Sequence, residues 1–435
     1  MRIIDYAENK EILSFIMERV NIDHGDAAVL VADILRAVRE NGDQALFSYT
    51  KEFDGFDLSE KNIKVTKDEI KAAKEECSAE LLGVLCRAAT RIEDFHMRQK
   101  RSGFIDTYPS GEILGQLVLP IETVGVYCPG GTAPYPASVL MNIIPAKIAG
   151  VRDIIMATPP GRDGIINPII LTAAQIAGCE NIYKLGGAQA IAAFAYGTKS
   201  VPKADKITGP GNIYVALAKH MVFGHVGIDS IAGPSEILII ADDTANPLYL
   251  AADLLSQAEH DALAASILIT NSVKIARETA EEIERQLAQT ERREIARRAI
   301  ENYGAIVITK TLEEAFEISN DIAPEHLEIC TADAFSYLPL VKNAGAVFLG
   351  HYTPEPLGDY LAGPNHILPT NRTARFFSPL CVDDFTKKTS VIHFPREAFE
   401  KVASDCVAFA RSEGFYAHAN AVKVRSEHIS YRLQE

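Results

Sequence analysis

The sequence predicts an α/β fold with two Rossmann-like, doubly wound modules, and two observations carry this prediction. Short apolar runs alternate with helix-like stretches after residue 120, and Gly-rich turns directly follow several of these runs. Such alternation is typical of βα units that build parallel sheets. No G-x-G-x-x-G and no Walker A motif occurs, so the modules are expected to be incomplete relatives of the dinucleotide-binding type.

Apolar runs in the second part of the chain are the predicted strands: Val124–Cys128, Ile154–Ala157, Ile182–Leu185, Ile237–Ala241, Ser266–Ile269, Ala305–Thr309, Leu327–Cys330 and Ala346–Leu349. Eight strands over ~230 residues suit two doubly wound sheets, and one closed eight-stranded βα barrel is the alternative. Uneven segment lengths after Ala305 and the clustering of Gly/Pro-rich loops favour the two sheets.

The chain before residue 120 reads mainly as helices. Apolar residues recur at three- and four-residue spacing in Glu11–Val20, Ala27–Val38 and Lys67–Arg98. A hairpin is expected next, with strands Phe104–Tyr108 and Ile113–Leu119.

These segments suggest four regions. We expect an N-terminal helical arm, a discontinuous first α/β module, a nucleotide-binding second module inserted into it, and a C-terminal tail domain. Their expected bounds are 1–25 for the arm, 26–124 with 237–380 for the first module, 125–236 for the second, and 381–435 for the tail.

Composition excludes several classes of protein. The 435 residues are 47% apolar and 23% charged, the balance of an ordinary globular chain and not of a disordered or fibrous one. The net charge of −15 disfavours a nucleic-acid partner, since Arg292-Arg293 and Arg297-Arg298 are interleaved with glutamates and read as a solvated helix face. No apolar run approaches the ~18 residues of a membrane helix, and no secretory signal is recognisable. Seven scattered cysteines without a C-x-x-C pair predict a reducing, cytoplasmic setting.

Three Gly-rich turns predict where a ligand binds. They are Cys128–Thr132, Gly186–Gln189 and Gly209–Asn212, and each lies between a strand-like run and a helix-like run. Backbone approaches a phosphate closely only where side chains are small, and a helix N-terminus adds free N–H groups. One such turn means little, but three at the carboxyl ends of strands in one sheet converge on the usual ligand crevice.

Four pairs of polar residues are candidates for metal binding or acid–base chemistry. They are Gln257 with His260, Glu325 with His326, Asp359 with His366, and Glu413 with His418. Imidazole, carboxylate and amide oxygen are suitable zinc donors, and a Glu–His pair at the start of a strand suits proton transfer. Each pair has a bland alternative, namely a polar helix end or an ordinary strand edge. If a regular strand included Glu325 and His326, their side chains would also point to opposite sides of the sheet.

The chain resembles histidinol dehydrogenase over almost its whole length. The matching stretches are VGVYCPGGTAPYPASVLMNIIPAKIAGV, KLGGAQAIAAFAYGT, DKITGPGNIYVALAK, GIDSIAGPSEILIIAD, AADLLSQAEHD, APEHLEI, NAGAVFLG, GDYLAGPNHILPT and EGFYAHANAV. The resemblance implies a zinc-dependent, four-electron oxidation of L-histidinol to L-histidine through L-histidinal with two NAD, the last step of histidine biosynthesis. It also implies a cytoplasmic homodimer in which the tail of one subunit completes the site of the other.

The resemblance assigns a role to individual residues of this chain. It implies that Glu325 and His326 are the catalytic pair, with His326 as general base and Glu325 activating water. The implied zinc ligands are Gln257, His260, Asp359 and His418, and the implied NAD contacts are Tyr127, Gln189 and Asn212. The implied substrate contacts are Ser235, His366 and Glu413 together with Gln257, His260, His326, Asp359 and His418.

Two other functions remain open from the sequence. A thiol-dependent aldehyde dehydrogenase would use Cys128 or Cys330 as nucleophile, and Cys128 lies in a Gly-rich loop. A zinc-binding or small-ligand module without enzymatic activity is the other alternative.

Overall fold

The computed structural model describes residues 1–7, 25–130, 134–231 and 233–432, with side chains up to residue 426. The chain divides into two compact units. Unit 1 is Met1–Lys100 with Ile121–Phe385, and unit 2 is Arg101–Pro120 with Thr386–Glu435.

The α-helices are α1 (Gly25–Asn41), α2 (Asp43–Phe53), α3 (Lys67–Glu76), α4 (Ala79–Met97), α5 (Pro136–Ala149), α6 (Pro168–Ala177), α7 (Gly187–Tyr196), α8 (Ile213–Val222), α9 (Pro247–Ala258), α10 (Val273–Leu287), α11 (Arg293–Tyr303), α12 (Leu312–Ile322), α13 (Ala334–Tyr337), α14 (Glu355–Tyr360), α15 (Arg396–Ser412) and α16 (Tyr416–Arg432). Short 3₁₀ turns lie at Leu338–Leu340, Thr373–Arg375 and Val382–Phe385.

The strands are β1 (Arg2–Asp5), β2 (Phe104–Thr107), β3 (Ile113–Pro120), β4 (Thr123–Tyr127), β5 (Asp153–Thr158), β6 (Asn181–Lys184), β7 (Lys206–Thr208), β8 (Gly227–Ile228), β9 (Glu236–Ala241), β10 (Ala265–Thr270), β11 (Gly304–Ile308), β12 (His326–Cys330), β13 (Ala346–Leu349) and β14 (Thr386–His393). All eight strands expected from the apolar runs are confirmed, within one or two residues at each end.

The five-stranded sheet of unit 1 is parallel and doubly wound. Its spatial order is β6-β5-β4-β7-β8, so the chain starts in the middle, winds to one edge and returns to complete the other. The change of direction between β4 and β7 creates a crevice at the carboxyl ends of these strands. The Gly-rich turns after β4, β6 and β7 therefore lie along one edge of one sheet, as the sequence predicts.

Helices from both halves of the chain cover this sheet. On one face, α3 and α4 pack with α5 and α6, and on the other, α1 and α2 pack with α7 and α8. Residues 25–97 thus pack on the five-stranded sheet, whereas the sequence analysis grouped 26–124 with 237–380. The difference has a simple cause, because amphipathic periodicity shows that a helix buries one face but not which sheet receives it.

The six-stranded sheet of unit 1 is also parallel, with the order β1-β11-β10-β9-β12-β13. Its strands β9 and β10 are buried along their whole length, and α9, α10 and α11 cover one face while α12 covers the other. The switch point falls between β9 and β12. This module again matches the doubly wound prediction.

The N-terminus corrects one expectation. Arg2–Asp5 was expected to belong to a helical arm, but it forms β1 and pairs in parallel with β11. The strand has only four residues and a single buried one, so its hydrophobic pattern is too short to identify an edge strand. The helix expected over Glu11–Val20 lies outside the described residues.

The helix boundaries follow ordinary capping chemistry. Proline occupies the first position of α5, α6 and α9, where its missing N–H costs no hydrogen bond. Asn167 and Asn246 cap α6 and α9 by accepting a hydrogen bond from a backbone N–H two residues ahead. Gly150 and Gly178 end α5 and α6 in the left-handed conformation.

Unit 2 joins the hairpin to the C-terminal tail. The expected hairpin is confirmed, with β2 antiparallel to β3, and β14 adds a third strand on the other side of β3. The helices α15 and α16 follow and pack against each other. The tail was expected to begin at residue 381, whereas residues 381–385 belong to unit 1. None of the described helices is long and apolar enough to cross a membrane.

Candidate active site

A cluster of buried acids and imidazoles lies at the amino ends of β9 and β12. Glu325 immediately precedes β12, His326 begins it, and Glu236 begins the neighbouring β9. The backbone N–H of Glu236 donates to Glu325 Oε2 at 2.9 Å, and the carbonyl oxygen of Glu236 lies 2.9 Å from His326 Nδ1. One strand residue therefore orients both members of the expected catalytic pair.

The hydrogen bond to Glu236 fixes the tautomer of His326. A carbonyl oxygen only accepts, so Nδ1 carries the hydrogen and the lone pair of the neutral ring lies on Nε2. Burial lowers the pKa of His326 to about 4, although the Asp359 carboxylate acts in the opposite direction. The ring is neutral at physiological pH, and Nε2 is available as a proton acceptor.

Glu325 is buried beside this ring. Its Oε2 lies 3.7 Å from His326 Nδ1, and only 7% of the residue is exposed. Burial raises the pKa of Glu325 well above its ordinary value, and the nearby acids Glu236, Asp359 and Glu355 raise it further. A carboxylate with a raised pKa is a stronger base, which suits the activation of a water molecule. Because β12 starts only at His326, Glu325 is outside strand geometry and both side chains meet at Glu236.

The short helix α14 supplies two further carboxylates. Glu355 Oε1 lies 3.5 Å from His326 Nε2, and Asp359 follows one helical turn later. One donor atom each from His326, Glu355 and Asp359 lie within 4.8 Å of one another, a spacing that suits a metal cation. Burial and the neighbouring Asp359 raise the pKa of Glu355 to about 9, so without a cation this group tends to keep its proton.

Two of the expected zinc ligands lie at the end of α9. The Oε1 of Gln257 is buried and accepts no hydrogen bond within the described part of the chain. His260 is exposed, and its charge lowers the pKa of both His326 and His366, so it lies within electrostatic range of them. A buried amide oxygen without a partner, three residues before an accessible imidazole, fits a zinc ligand pair.

The expected substrate residues are divided between the units. In unit 1, His366 Nε2 lies 3.1 Å from Ser138 Oγ, and its Nδ1 lies 3.1 Å from the carbonyl oxygen of Asp359. Ser235 directly precedes β9, and its carbonyl accepts from the N–H of Ala265. In unit 2, Glu413 and His418 lie at the junction of α15 and α16. Their side chains are exposed, so the structure of unit 2 leaves them accessible.

The three expected NAD contacts lie at the carboxyl ends of the five-stranded sheet. Tyr127 ends β4, Gln189 lies in the first turn of α7, and Asn212 caps α8 by accepting from the N–H of Val215. The Oε1 of Gln189 is buried and has no hydrogen-bond partner among the described residues. This arrangement offers a polar crevice in the position where doubly wound sheets bind nucleotides.

Two of the loop amides expected to face a phosphate are already satisfied. The N–H of Gly187 donates to the hydroxyl of Tyr127 at 3.1 Å, and the N–H of Gly209 donates to Asp229 Oδ2 at 2.8 Å. Lys219 pairs with Asp229 in the interior and donates to the carbonyl of Gly209 at 2.9 Å. These contacts hold the two glycine turns in place. Because these two N–H groups are already hydrogen-bonded, we expect side chains at the crevice to make more of the contacts to a ligand.

The cysteines offer no activated thiol. Burial raises the pKa of Cys128 to about 12 and raises that of Cys330 still further. Among the residues that the structure describes, the Sγ of Cys128 contacts the carbonyl oxygens of Pro129 and Tyr135. A thiol nucleophile needs an electropositive, partly exposed setting, which neither cysteine has.

Sequence reasoning missed three residues of this site. Glu236 contributes through its backbone, for which no side-chain pattern exists, and Ser138 reaches His366 only in the folded chain. Glu355 left a detectable signal, because it lies four residues before Asp359 and shares its helix face. The Pro and Gly residues of this segment favour a loop and so conceal the helical spacing.

Known proteins are similar to this chain in sequence and in fold. The family model for histidinol dehydrogenase matches residues 17–426. A histidinol dehydrogenase of Listeria monocytogenes serotype 4b is 55% identical over 397 residues, which cover 91% of this chain and 92% of that protein. A crystal structure of histidinol dehydrogenase from Elizabethkingia anophelis is 41% identical with a TM-score of 0.89, and the match covers 94% and 93% of the two chains.

The chain belongs to the histidinol dehydrogenase family. A relative from Bacillus cereus, also named histidinol dehydrogenase, is 54% identical over 427 residues and covers 98% of this chain and 99% of its own. The chain is therefore an oxidoreductase of histidine biosynthesis, as the sequence motifs predict. The acid–base cluster at β9 and β12 is its candidate active site.

Asp54 allows a pH-dependent test of charge burial next to the proposed cofactor crevice. This residue follows α2 and lies beside the Gly186 turn, where an added β-carbon would be 3.2 Å from its Oδ1. Burial raises the pKa of Asp54 from 3.8 to about 6, so the charged form destabilises the folded chain. This destabilisation is fully present above pH 6 and disappears below pH 3.8.

We expect Asp54→Asn to raise the thermal midpoint more at pH 8 than at about pH 4.5, because the amide removes that charge. Differential scanning fluorimetry across this range measures the difference. The matched control is Asp57→Asn, an exposed carboxylate 2.7 Å from Lys51. A stabilisation by Asp54→Asn that does not change with pH would contradict the burial of this charge.

Proposed function

We propose that the chain is a zinc-dependent, NAD-linked L-histidinol dehydrogenase that carries out both oxidations from alcohol to acid. The observation that carries this proposal is the neutral His326 ring, whose Nε2 faces acidic side chains while Glu325 lies beside it. An alcohol oxidation needs one base for the hydroxyl proton, and hydration of the aldehyde needs a second base for water. The cluster supplies both.

His326 takes the proton of the substrate hydroxyl in each oxidation. Its hydrogen bond to Glu236 holds Nε2 towards the cluster, and its low pKa keeps the lone pair free at neutral pH. The developing positive charge on the ring is stabilised by the nearby carboxylate of Asp359.

Glu325 removes a proton from the water that attacks the aldehyde. Its position against the N–H of Glu236 keeps one oxygen occupied and leaves the other for water. The hydroxide adds to the aldehyde carbon, and the proton that His326 took in the first oxidation passes to the resulting alkoxide oxygen. This gives the aldehyde hydrate and leaves His326 free to deprotonate it for the second oxidation.

The donor set for zinc is Gln257, His260 and Asp359, completed by His418 of a second subunit. The orphaned Oε1 of Gln257 supports this assignment, and His260 is accessible at the end of α9. When bound, the metal would hold the imidazole and amine of the substrate as a template. Glu355 is close enough to Asp359 to hydrogen-bond it, and we expect it to orient that ligand.

Tyr127, Gln189 and Asn212 hold NAD at the edge of the five-stranded sheet. The unpartnered Oε1 of Gln189 and the rigid turns at Gly187 and Gly209 support this assignment. When bound, NAD would supply the hydride acceptor for each oxidation, so two molecules would bind in turn. Ser235, His366 and Glu413 contact the small zwitterionic substrate.

We propose a homodimer with shared sites on the basis of unit 2. Its residues Ile105, Ile392, Phe409 and Tyr416 are each more than half exposed. Large exposed apolar side chains are common at interaction surfaces, and these four support the proposal. Seven free thiols support a reducing compartment such as the cytoplasm.

The direct test follows NADH absorbance with L-histidinol and NAD. We expect two NADH for each histidinol consumed, loss of activity after prolonged exposure to a chelator, and recovery with Zn²⁺. A metal-free chain that turns over histidinol at the same rate would refute the zinc dependence. A chain that produces no NADH would refute the proposed activity.

Glu325→Gln separates the two oxidations. We expect the rate of aldehyde oxidation to fall by about 10²- to 10⁴-fold, while the rate of alcohol oxidation stays within about tenfold. The amide oxygen can still accept from the N–H of Glu236, which preserves the local structure. Single-turnover assays with histidinol and histidinal measure each step, and His326→Asn is the control that should lose both. If Glu325→Gln lowered the rates of both oxidations by the same factor, Glu325 would not be the base that activates water.

Mixing two inactive variants tests the shared sites. His326→Asn and His418→Asn are each expected to be inactive alone. A mixed dimer would contain one intact site if His418 serves the other subunit, giving about a quarter of the wild-type activity after random exchange. The control mixes His326→Asn with His326→Gln, which leaves no intact site. No activity in mixed dimers verified by tag pull-down would contradict the proposal.

A further inference from the structure

A pair of acids that the proposed reaction does not use, one buried and one half-buried, lies one layer below the site. Asp253 on α9 and Glu328 on β12 are hydrogen-bonded through their side chains. Glu328 is 1% exposed, in the middle of a fully buried strand. One of the two must carry a proton, because a carboxylate only accepts hydrogen bonds.

Glu328 also reaches the third element of the site. Its Oε1 accepts a hydrogen bond from the backbone N–H of Glu355 at 2.8 Å, at the first residue of α14. The pair of acids thus links α9, β12 and α14. These are the three elements of unit 1 that carry the candidate donors and the candidate base.

The spacing along each element connects this lower layer to the site above it. On α9, Asp253 lies four residues before Gln257 and therefore on the same helix face. On β12, Glu328 lies two residues after His326 and on the same face of the sheet. On α14, Asp359 lies four residues after the N–H that Glu328 accepts from. On each of the three elements, the group in the acid layer therefore shares a face with one side chain of the site.

We propose that Asp253 and Glu328 are positioning residues, which fix the distance between α9 and α14 and thereby the placement of Gln257 and Asp359 around His326. The inference rests on the proposed zinc-dependent function. Holding two acids against each other away from bulk water costs folding free energy. Proteins in which apolar residues of similar volume replace such a pair are often as stable or more stable. A pair retained for stability alone would therefore gain little, whereas a pair that sets geometry has a reason to be polar.

Glu328→Met is the informative substitution, because it keeps the side-chain volume and removes both hydrogen bonds. We expect a thermal midpoint within a few degrees of wild type. We also expect zinc to be lost to a chelator about 10- to 100-fold faster and the KM for histidinol to rise by a similar factor, with a smaller change in kcat.

Two controls isolate the hydrogen bonds. Glu328→Gln keeps an acceptor for Glu355 and a donor for Asp253, so it should stay within about threefold of wild type in zinc retention and KM. Thr50→Val changes a fully buried polar group on α2, which packs on the five-stranded sheet, and should have no effect on either quantity.

Amide hydrogen exchange in the zinc-free chain tests the layer independently of function. We expect the peptide spanning 350–361 to exchange at least about tenfold faster in Glu328→Met than in Glu328→Gln, since α14 loses its anchor. Unchanged exchange, or faster exchange with unchanged zinc retention and KM, would overturn the proposal. A wild-type chain that neither binds zinc nor oxidises histidinol would refute the proposed function, while the exchange result would still decide whether Glu328 anchors α14.

Discussion

The backbone of Glu236 is the constraint on which the candidate site depends. Its N–H holds the Glu325 carboxylate and its carbonyl oxygen holds the His326 ring, each at 2.9 Å. Both groups belong to the first residue of a central strand that is buried along its whole length. Because neighbouring strands fix that strand on both sides, two bases are oriented by a rigid part of the sheet rather than by a mobile loop.

The two sheets of unit 1 contribute opposite edges to function. The residues proposed to hold the cofactor lie at the carboxyl ends of β4, β6 and β7, the usual ligand edge of a doubly wound sheet. The acid–base cluster instead lies at the amino ends of β9 and β12. The contact of His366 with Ser138, which belongs to α5 of the five-stranded module, links the two modules within unit 1. Under the proposed function, the hydride acceptor and the proton acceptor would therefore be held by different sheets.

Much of the fold and site could be predicted from the sequence, and the failures have physical causes. Long buried strands such as β9 give an unbroken apolar run, whereas β7 and β8 have only three and two residues and leave no pattern. The exposed strand β14 has no buried position and so reads as a polar segment. His326 and its neighbours were found because their chemistry is in their side chains. The contributions of Glu236 and Glu328 arise from strand pairing and from one backbone N–H, which only the folded chain brings together.

The central claim is that His326 is a neutral base whose lone pair is on Nε2. Nitrogen-15 NMR of histidine-labelled protein at about pH 7.5, with the signals of His326 assigned by their absence in His326→Asn, measures this directly. The account predicts one protonated nitrogen, Nδ1, coupled across its hydrogen bond to the Glu236 carbonyl, and an unprotonated Nε2. A hydrogen on Nε2, or a doubly protonated ring, would contradict it.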